Sequence, residues 1–243
     1  MRILIISDIH ANLTALEAVL ADAEPFDQVW CLGDVVGYGP DPNECIERVR
    51  VLPHLRCVLG NHDAAILGQI DINAFNDEAR RSLEWLQTTL ESENRSWLAG
   101  LADFLEFDDI TIAHGSPRDP IWEYIMDVNI ARQNMDAFTT KICLVGHSHF
   151  PTVFKMDGDR KSTTHLYLIP PERSFTLDRK SIVNPGSVGQ PRDRNPRASY
   201  LIYEDDDDTW MYHRTPYDVE AVQRRILAAG LPIRHAARLA EGW

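Results

Sequence analysis

Five short apolar runs in this 243-residue chain each end at residue types that bind metal ions. Ile3–Ile6 leads to Asp8 and His10, Val29–Leu32 to Gly33-Asp34, and Cys57–Leu59 to Gly60-Asn61-His62-Asp63. Ile110–Ala113 leads to His114, and Ile142–Val145 to Gly146-His147-Ser148-His149. Singly, each has an ordinary explanation: a hydrogen-bonded structural histidine, a cap at Asp34, a left-handed turn at Asn61. Repetition after five separate runs points instead to a shared metal site. The oxygens of Asp8, Asp34 and Asn61 with the imidazoles of His10, His114, His147 and His149 exceed the tetrahedral set that one zinc takes. That many donors suit two ions sharing a bridging carboxylate. A nitrogen and oxygen set without thiolate suits divalent Mn, Fe, Co, Ni or Zn and disfavours calcium and copper–thiolate sites. Two such ions, about 3.5–4 Å apart, can hold a bridging hydroxide and clamp both attacking and leaving oxygens of a phosphoryl centre.

These residues can meet only if the runs are strands whose carboxyl ends face one crevice, as in open α/β sheets. The intervening patterns agree. Leu13, Leu16 and Leu20 mark a helix opened at Asn12, and Pro42–Val49 reads as a second. A β-α-β-α-β order implies an α/β fold with a parallel sheet and right-handed crossovers. From 64 to 100 the chain reads as helical, with Phe75, Ala79, Leu83, Leu86 and Leu90 forming a stripe against a core. A further helix is expected near Asp127–Met135. Short strands follow at Thr152–Met156, His165–Ile169, Ser174–Leu177 and Ser181–Val183. Ser199–Tyr203 and Thr209–His213 read as a hairpin around the acidic run 204–208, which lacks the spacing of a calcium loop. Tyr217–Ala228 reads as a C-terminal helix closed by Gly230-Leu231-Pro232. No repeat or linker divides the chain, so one domain over 1–243 is expected, with a helical insertion at about 64–100 and the C-terminal helix at about 217–228.

Composition sets the outer bounds. With 44% apolar and 25% charged residues, the chain is an ordinary globular sequence. Its net charge of −13 argues against stable nucleic-acid binding, which needs a basic face. Cys31, Cys45, Cys57 and Cys143 show no paired spacing and read as buried hydrophobes in a reducing compartment. No secretory signal and no stretch near the roughly 20 apolar residues of a spanning helix is visible. A cytoplasmic protein with no membrane contact is expected, with room for homo-oligomerisation.

Together Asp8-x-His10, Gly33-Asp34, Gly60-Asn61-His62-Asp63, His114 and Gly146-His147-x-His149 resemble, in order, the five blocks of the calcineurin-like metallophosphoesterases. Asn184-Pro185-Gly186-Ser187-Val188-Gly189-Gln190-Pro191-Arg192 resembles a loop of the small bacterial and archaeal phosphodiesterase branch. The resemblance implies a four-layer α/β/β/α sandwich with a dinuclear centre. By position, Asp8, His10, Asp34 and His149 would hold one ion; Asp34 would bridge to a second, completed by Asn61, His114 and His147. His62 would lie beside the ions without ligating. Ser148 stands where many relatives carry Thr, and Gly37 where some branches carry another acid.

Phosphoryl transfer depends mainly on positioning and electrostatic stabilisation. His62 is the candidate general acid for the leaving oxygen, with Asp63 as the residue that would orient it. Asn61, Ser187 and Arg192 are candidate substrate contacts, and Arg197 shares the loop of Ser187 and Arg192. Asn12 is most simply a helix cap. Trp85, Trp97 and Trp122 read as core or cap packing, although an aromatic near the site could stack on a nucleobase. His54, His165, His213 and His235 carry no motif. The expected function is hydrolysis of small, nucleotide-like phosphodiesters. Phosphomonoester or dinucleoside-polyphosphate hydrolysis is the alternative within the chemistry, and a non-catalytic scaffold of the same fold is the alternative outside it.

Overall fold

Strand period and helix period sort the apolar residues into layers. In the computed structural model, which describes all 243 residues, Ile3 and Ile5 of the first strand face one way while Leu4 and Ile6 face the other. Both sets are buried, so this strand is covered on both faces. The elements run β1 (Arg2–Ile6), α1 (Leu13–Ala23), β2 (Gln28–Cys31), α2 (Pro42–Val49), β3 (Arg56–Cys57) and α3 (Asn61–Ile66). Then come α4 (Asp77–Thr89), α5 (Ser92–Ala99), β4 (Phe104–Phe107), β5 (Ile110–Ala113), α6 (Val128–Asn134) and β6 (Ile142–Leu144). The remainder is β7 (Thr152–Met156), β8 (Thr164–Tyr167), β9 (Ser174–Phe175), β10 (Ser181–Asn184), β11 (Ala198–Glu204), β12 (Thr209–Thr215), α7 (Val219–Ala228) and α8 (Ile233–Glu241).

Two six-stranded mixed sheets result, ordered β3-β2-β1-β11-β12-β9 and β4-β5-β6-β10-β7-β8. Ile3, Ile5, Trp30 and Leu32 of the first meet Ile110, Ile112, Ile142 and Leu144 of the second in the core between them. Leu4, Ile6 and Val29 instead pack outward against α1, α2, α4 and α5. On the far side, Cys143, Phe154 and Ile182 pack against α6. This is the four-layer α/β/β/α sandwich. Within it β1, β2 and β3 are parallel, as are β5, β6 and β10. The carboxyl ends of β1, β2, β3, β5 and β6 therefore converge at one edge of the sandwich.

The local reasons for the helices are plain. Asn12 caps α1, its Oδ1 accepting from Ala15 N at 3.1 Å, and α1 buries Leu16 and Leu20, each about 1.5–3 kcal/mol of burial. Four differences from the sequence reading stand out. The stretch 64–100 is not continuous: α3 stops at Ile66, α4 starts at Asp77, and Phe75 lies in the loop between. Phe104–Phe107 forms an unforeseen edge strand pairing antiparallel with β5. The strand expected at Ser174–Leu177 shortens to Ser174–Phe175. Beyond Pro232 the chain does not end its structure but starts α8, which packs on α7 through Ala236 and Leu239. No helix is long and apolar enough to cross a membrane.

Candidate metal centre

Three of the five strand ends, those of β1, β2 and β6, deliver their side chains through strained turns. Asp8, His10, Asp34, His147 and His149 all adopt left-handed backbone conformations, with φ of 53°, 48°, 52°, 63° and 59°. Non-glycine residues there cost free energy, and they persist only where the surroundings fix them. Here backbone bonds do so: Leu32 N donates to Ile6 O at 2.9 Å, His10 N to Asp34 O at 2.9 Å, and Gly146 N to His114 O at 2.8 Å. Close approach at Gly60 completes the arrangement. A Cβ on Gly60 would fall 2.1 Å from Asp34 Oδ1 and 2.2 Å from Asp34 N. Gly60→Ala is accordingly expected to displace Asp34, lowering the melting temperature by an overpacking cost of about 1–3 kcal/mol and reducing bound metal. Unchanged melting and metal stoichiometry would show that the turn relaxes freely.

The side chains converge in two groups joined by Asp34. Asp8 Oδ1 lies 3.2 Å from His149 Nε2 and 3.8 Å from His10 Nε2, and the two imidazole nitrogens are 3.0 Å apart. Asp34 Oδ2 stands between the groups, 3.6 Å from His10 Nε2 and 3.4 Å from His114 Nε2. His114 Nε2 is 3.1 Å from Asn61 Oδ1 and 3.2 Å from His147 Nδ1. All seven sequence-derived donors thus lie together, buried. His62 also reaches the middle of the cluster, beside His10 and Asp34.

Hydrogen bonds around these groups test whether a cation fits. His114 Nδ1 donates to Leu32 O at 2.8 Å, His149 Nδ1 to Gln190 O at 2.6 Å, and His147 Nε2 to Trp122 O at 3.1 Å. Each bond fixes the tautomer and leaves the other ring nitrogen as a lone pair turned inward. Each carboxylate is likewise half used. Asp8 Oδ2 accepts from Ser7 Oγ at 2.6 Å and His147 N at 3.1 Å, and Asp34 Oδ1 accepts from His62 N at 2.9 Å. Asp8 Oδ1 and Asp34 Oδ2 have no hydrogen-bond partner. Buried lone pairs facing one another repel unless positive charge lies between them. Without a cation there, a proton takes its place: burial disfavours a charged His114, yet the field of Asp34 and Asp8 draws a proton onto Nε2 and raises the group to about 10. Against the same burial, His149 holds Asp8 at about 2. The donor set therefore fits divalent cations.

Other expected residues have different surroundings. The Asp63 carboxylate accepts from Gly60 N at 3.0 Å, Val36 N at 3.0 Å and Val35 N at 3.3 Å. It braces the turn after β2 and does not bond the His62 ring, which corrects the expectation that it orients His62. Ser187 is also corrected: its hydroxyl donates to Asp8 O at 2.8 Å and accepts from Gln190 N at 2.8 Å, so it ties the loop down and is spent as a substrate contact. Arg192 and Asn61 do line the cavity of about 130 Å³ beside the cluster, together with His62, Phe75, Trp122 and Tyr38. Burial pushes His62 down to about 4, with Asp34 opposing. Its Nε2 is 3.0 Å from the Tyr38 hydroxyl.

Sequence reasoning missed three residues here. Tyr38 sits in a glycine-flanked loop four positions after Asp34, a signal that was available. Tyr124 stacks on His147 with centroids 3.7 Å apart. Phe75, read as core, meets His62 and Trp122 edge-on, each at 5.0 Å. Trp122 is thus an aromatic of the site rim, whereas Trp85 and Trp97 pack on the core. The acidic run 204–208 forms the turn of the β11–β12 hairpin.

The chain is similar to known proteins to different degrees. Residues 1–208 match the family model of the calcineurin-like phosphoesterase superfamily domain. A metallophosphoesterase from Sphaerobacter thermophilus superposes with a TM-score of 0.92 at 45% identity, over 100% of both chains. An uncharacterised protein of Methanocaldococcus jannaschii is 37% identical over 238 residues, 95% of this chain and 93% of its own. A symmetrical bis(5'-nucleosyl)-tetraphosphatase of Erwinia tasmaniensis is 33% identical over 102 residues, which span 40% of this chain and 37% of that protein.

Proposed function

The chain belongs to the calcineurin-like phosphoesterase superfamily, a metal-dependent family of hydrolases, and from that premise we propose that it hydrolyses phosphodiesters with two divalent transition-metal ions. The observation that carries this reading is the pair of orphaned carboxylate oxygens, Asp8 Oδ1 and Asp34 Oδ2, facing imidazole lone pairs. Asp8, His10, Asp34 and His149 would hold one ion, and Asp34, Asn61, His114 and His147 the other. We put manganese first among the candidates and Fe, Ni, Co and Zn after it, all of them compatible with this nitrogen and oxygen set. When bound, such ions supply Lewis acidity toward the phosphoryl oxygens and a water acidified to near neutrality.

The chain's own groups do the rest. Arg192 would draw the anion into the cavity that it lines with Asn61, and Asn61 would steady a phosphoryl oxygen. His62 would give a proton to the leaving oxygen, since an anion bound beside it favours its charged form. Burial of the cluster keeps bulk water from competing with these contacts. Because the cavity holds about 130 Å³, the phosphoryl group fits inside while a larger ester group lies across the rim.

That rim favours a second reading. Phe75, Trp122 and Tyr124 line the cavity with aromatic rings, and a symmetrical bis(5'-nucleosyl)-tetraphosphatase is similar over 40% of the chain. Dinucleoside polyphosphates, and phosphomonoesters with them, are therefore the competing substrates. One experiment separates these readings from a non-catalytic scaffold: metal content of the purified protein, followed by turnover of a diester, a monoester and a dinucleoside polyphosphate with Mn, Ni and Zn. Two ions per chain and a preference for the diester are expected, with activity lost to a chelator and restored by metal. Absent metal uptake with no turnover would leave the scaffold reading. Four free, buried cysteines suit a cytoplasmic setting for this enzyme.

A further inference from the structure

Tyr38 occupies the loop after β2 with its ring enclosed by three imidazoles. The centroids of His10 and His62 are each 4.5 Å from its own, and that of His235, on α8, is 4.8 Å away. Its hydroxyl lies 3.0 Å from His62 Nε2 and accepts from Arg192 Nη2 at 3.4 Å. Arg192 donates further to Gln190 Oε1 at 3.1 Å. Gly37 has no side chain to offer His62, and Asp63 is occupied by backbone amides. The Tyr38 hydroxyl is thus the one protein group hydrogen-bonded to the His62 ring.

The Tyr38 hydroxyl is buried and its hydrogen needs an acceptor; a guanidinium only donates, so of its two partners only His62 Nε2 can accept that hydrogen. We infer that Tyr38 is a positioning residue that donates to His62 Nε2, keeps the ring hydrogen on Nδ1, and ties the proton donor and Arg192 into one row. His62 Nδ1 is buried and has no protein partner, which leaves its hydrogen for a ligand oxygen. The row also explains why α8 reaches the site: His235, whose Nε2 donates to Glu78 O at 3.2 Å, backs the Tyr38 ring. The catalytic consequence rests on the phosphoesterase reading above, whereas the tautomer does not.

The test uses the full chain, ¹⁵N-labelled at histidine, at neutral pH and without added metal. Long-range proton–nitrogen spectra show which nitrogen of each ring carries hydrogen, and the missing signals of His62→Asn identify His62. The Nδ1–H form is expected in the wild type, changing toward Nε2–H or a mixture in Tyr38→Phe. In the metal-replete enzyme, Tyr38→Phe should lower kcat on an alkyl diester by about 10–100-fold, the scale seen when an orienting residue is lost. A p-nitrophenyl ester should lose less, and KM should change less than kcat. An Nε2–H wild-type ring, a tautomer unmoved by Tyr38→Phe, or equal losses on both esters would overturn the inference. A wild type inert toward every phosphoester would overturn the functional reading, and the spectra would still decide the role of Tyr38.

Discussion

Asp34→Asn is expected to leave the fold intact while removing most turnover and at least one of two bound metal ions. Only Asp34 stands between the two donor groups, its Oδ2 3.6 Å from His10 Nε2 and 3.4 Å from His114 Nε2. Asparagine keeps the shape and tolerates the left-handed conformation at φ 52°. It also keeps an oxygen for His62 N, which now donates to Oδ1 at 2.9 Å. The substitution then turns an amide nitrogen with no available lone pair toward the cluster and cancels one negative charge. Losing a residue that merely supports a ligand costs about 10–100-fold in affinity or activity, so losing a shared ligand should cost more than about 100-fold. Elemental analysis of the variant, with circular dichroism as the folding control, checks this. Two retained ions and near-normal diester turnover would refute the bridging role of Asp34.

The site was more legible than parts of its frame, for a physical reason. A strand that ends at a candidate ligand carries its signal in adjacent residues: Ile3–Ile6 and then Asp8, or Ile142–Leu144 and then His147. Burial on both faces makes such runs continuously apolar, so they stand out. Edge strand β4 has no such advantage: Phe104, Leu105 and Phe107 are only part-buried, and pairing with β5 is what makes the segment a strand. Helix α8 was hidden because Gly230-Leu231-Pro232 closes α7 and the same proline caps the next helix. Phe75 fits a helical stripe by spacing, yet the turn between α3 and α4 redirects it to His62. Contacts between distant loops carry no local pattern at all. Ser187 and Arg192, two turns of one loop, share a sequence signal, but Ser187 bonds the backbone of Asp8 while Arg192 reaches the cavity. Asp63 shows the same limit: adjacency to His62 suggested a partnership, and the helical geometry of α3 turns its carboxylate toward Val35 and Val36 instead.

His62→Asn should slow an alkyl or nucleoside diester by about 10²–10⁴-fold, the usual scale of general-acid help, and a p-nitrophenyl ester clearly less. A nitrophenolate departs without a proton, whereas an alkoxide does not, so the ratio of the two losses isolates proton donation from positioning. The resting ring is uncharged at neutral pH because burial holds it down at about 4. A phosphoester anion placed against Arg192 and Asn61 reverses that balance by adding negative charge beside the imidazole. The acid would therefore form with the substrate in place, the ring taking a second proton on Nε2 and the Tyr38 oxygen turning to accept from it, and its absence should appear in kcat more than in KM. His62 holds the site through its backbone amide, donated to Asp34 Oδ1, and asparagine retains that amide. Metal content should thus stay at the wild-type level, which separates this variant from Asp34→Asn. If both esters slowed by the same factor with metal unchanged, His62 would be a packing or binding group, and the leaving oxygen would depart without its help.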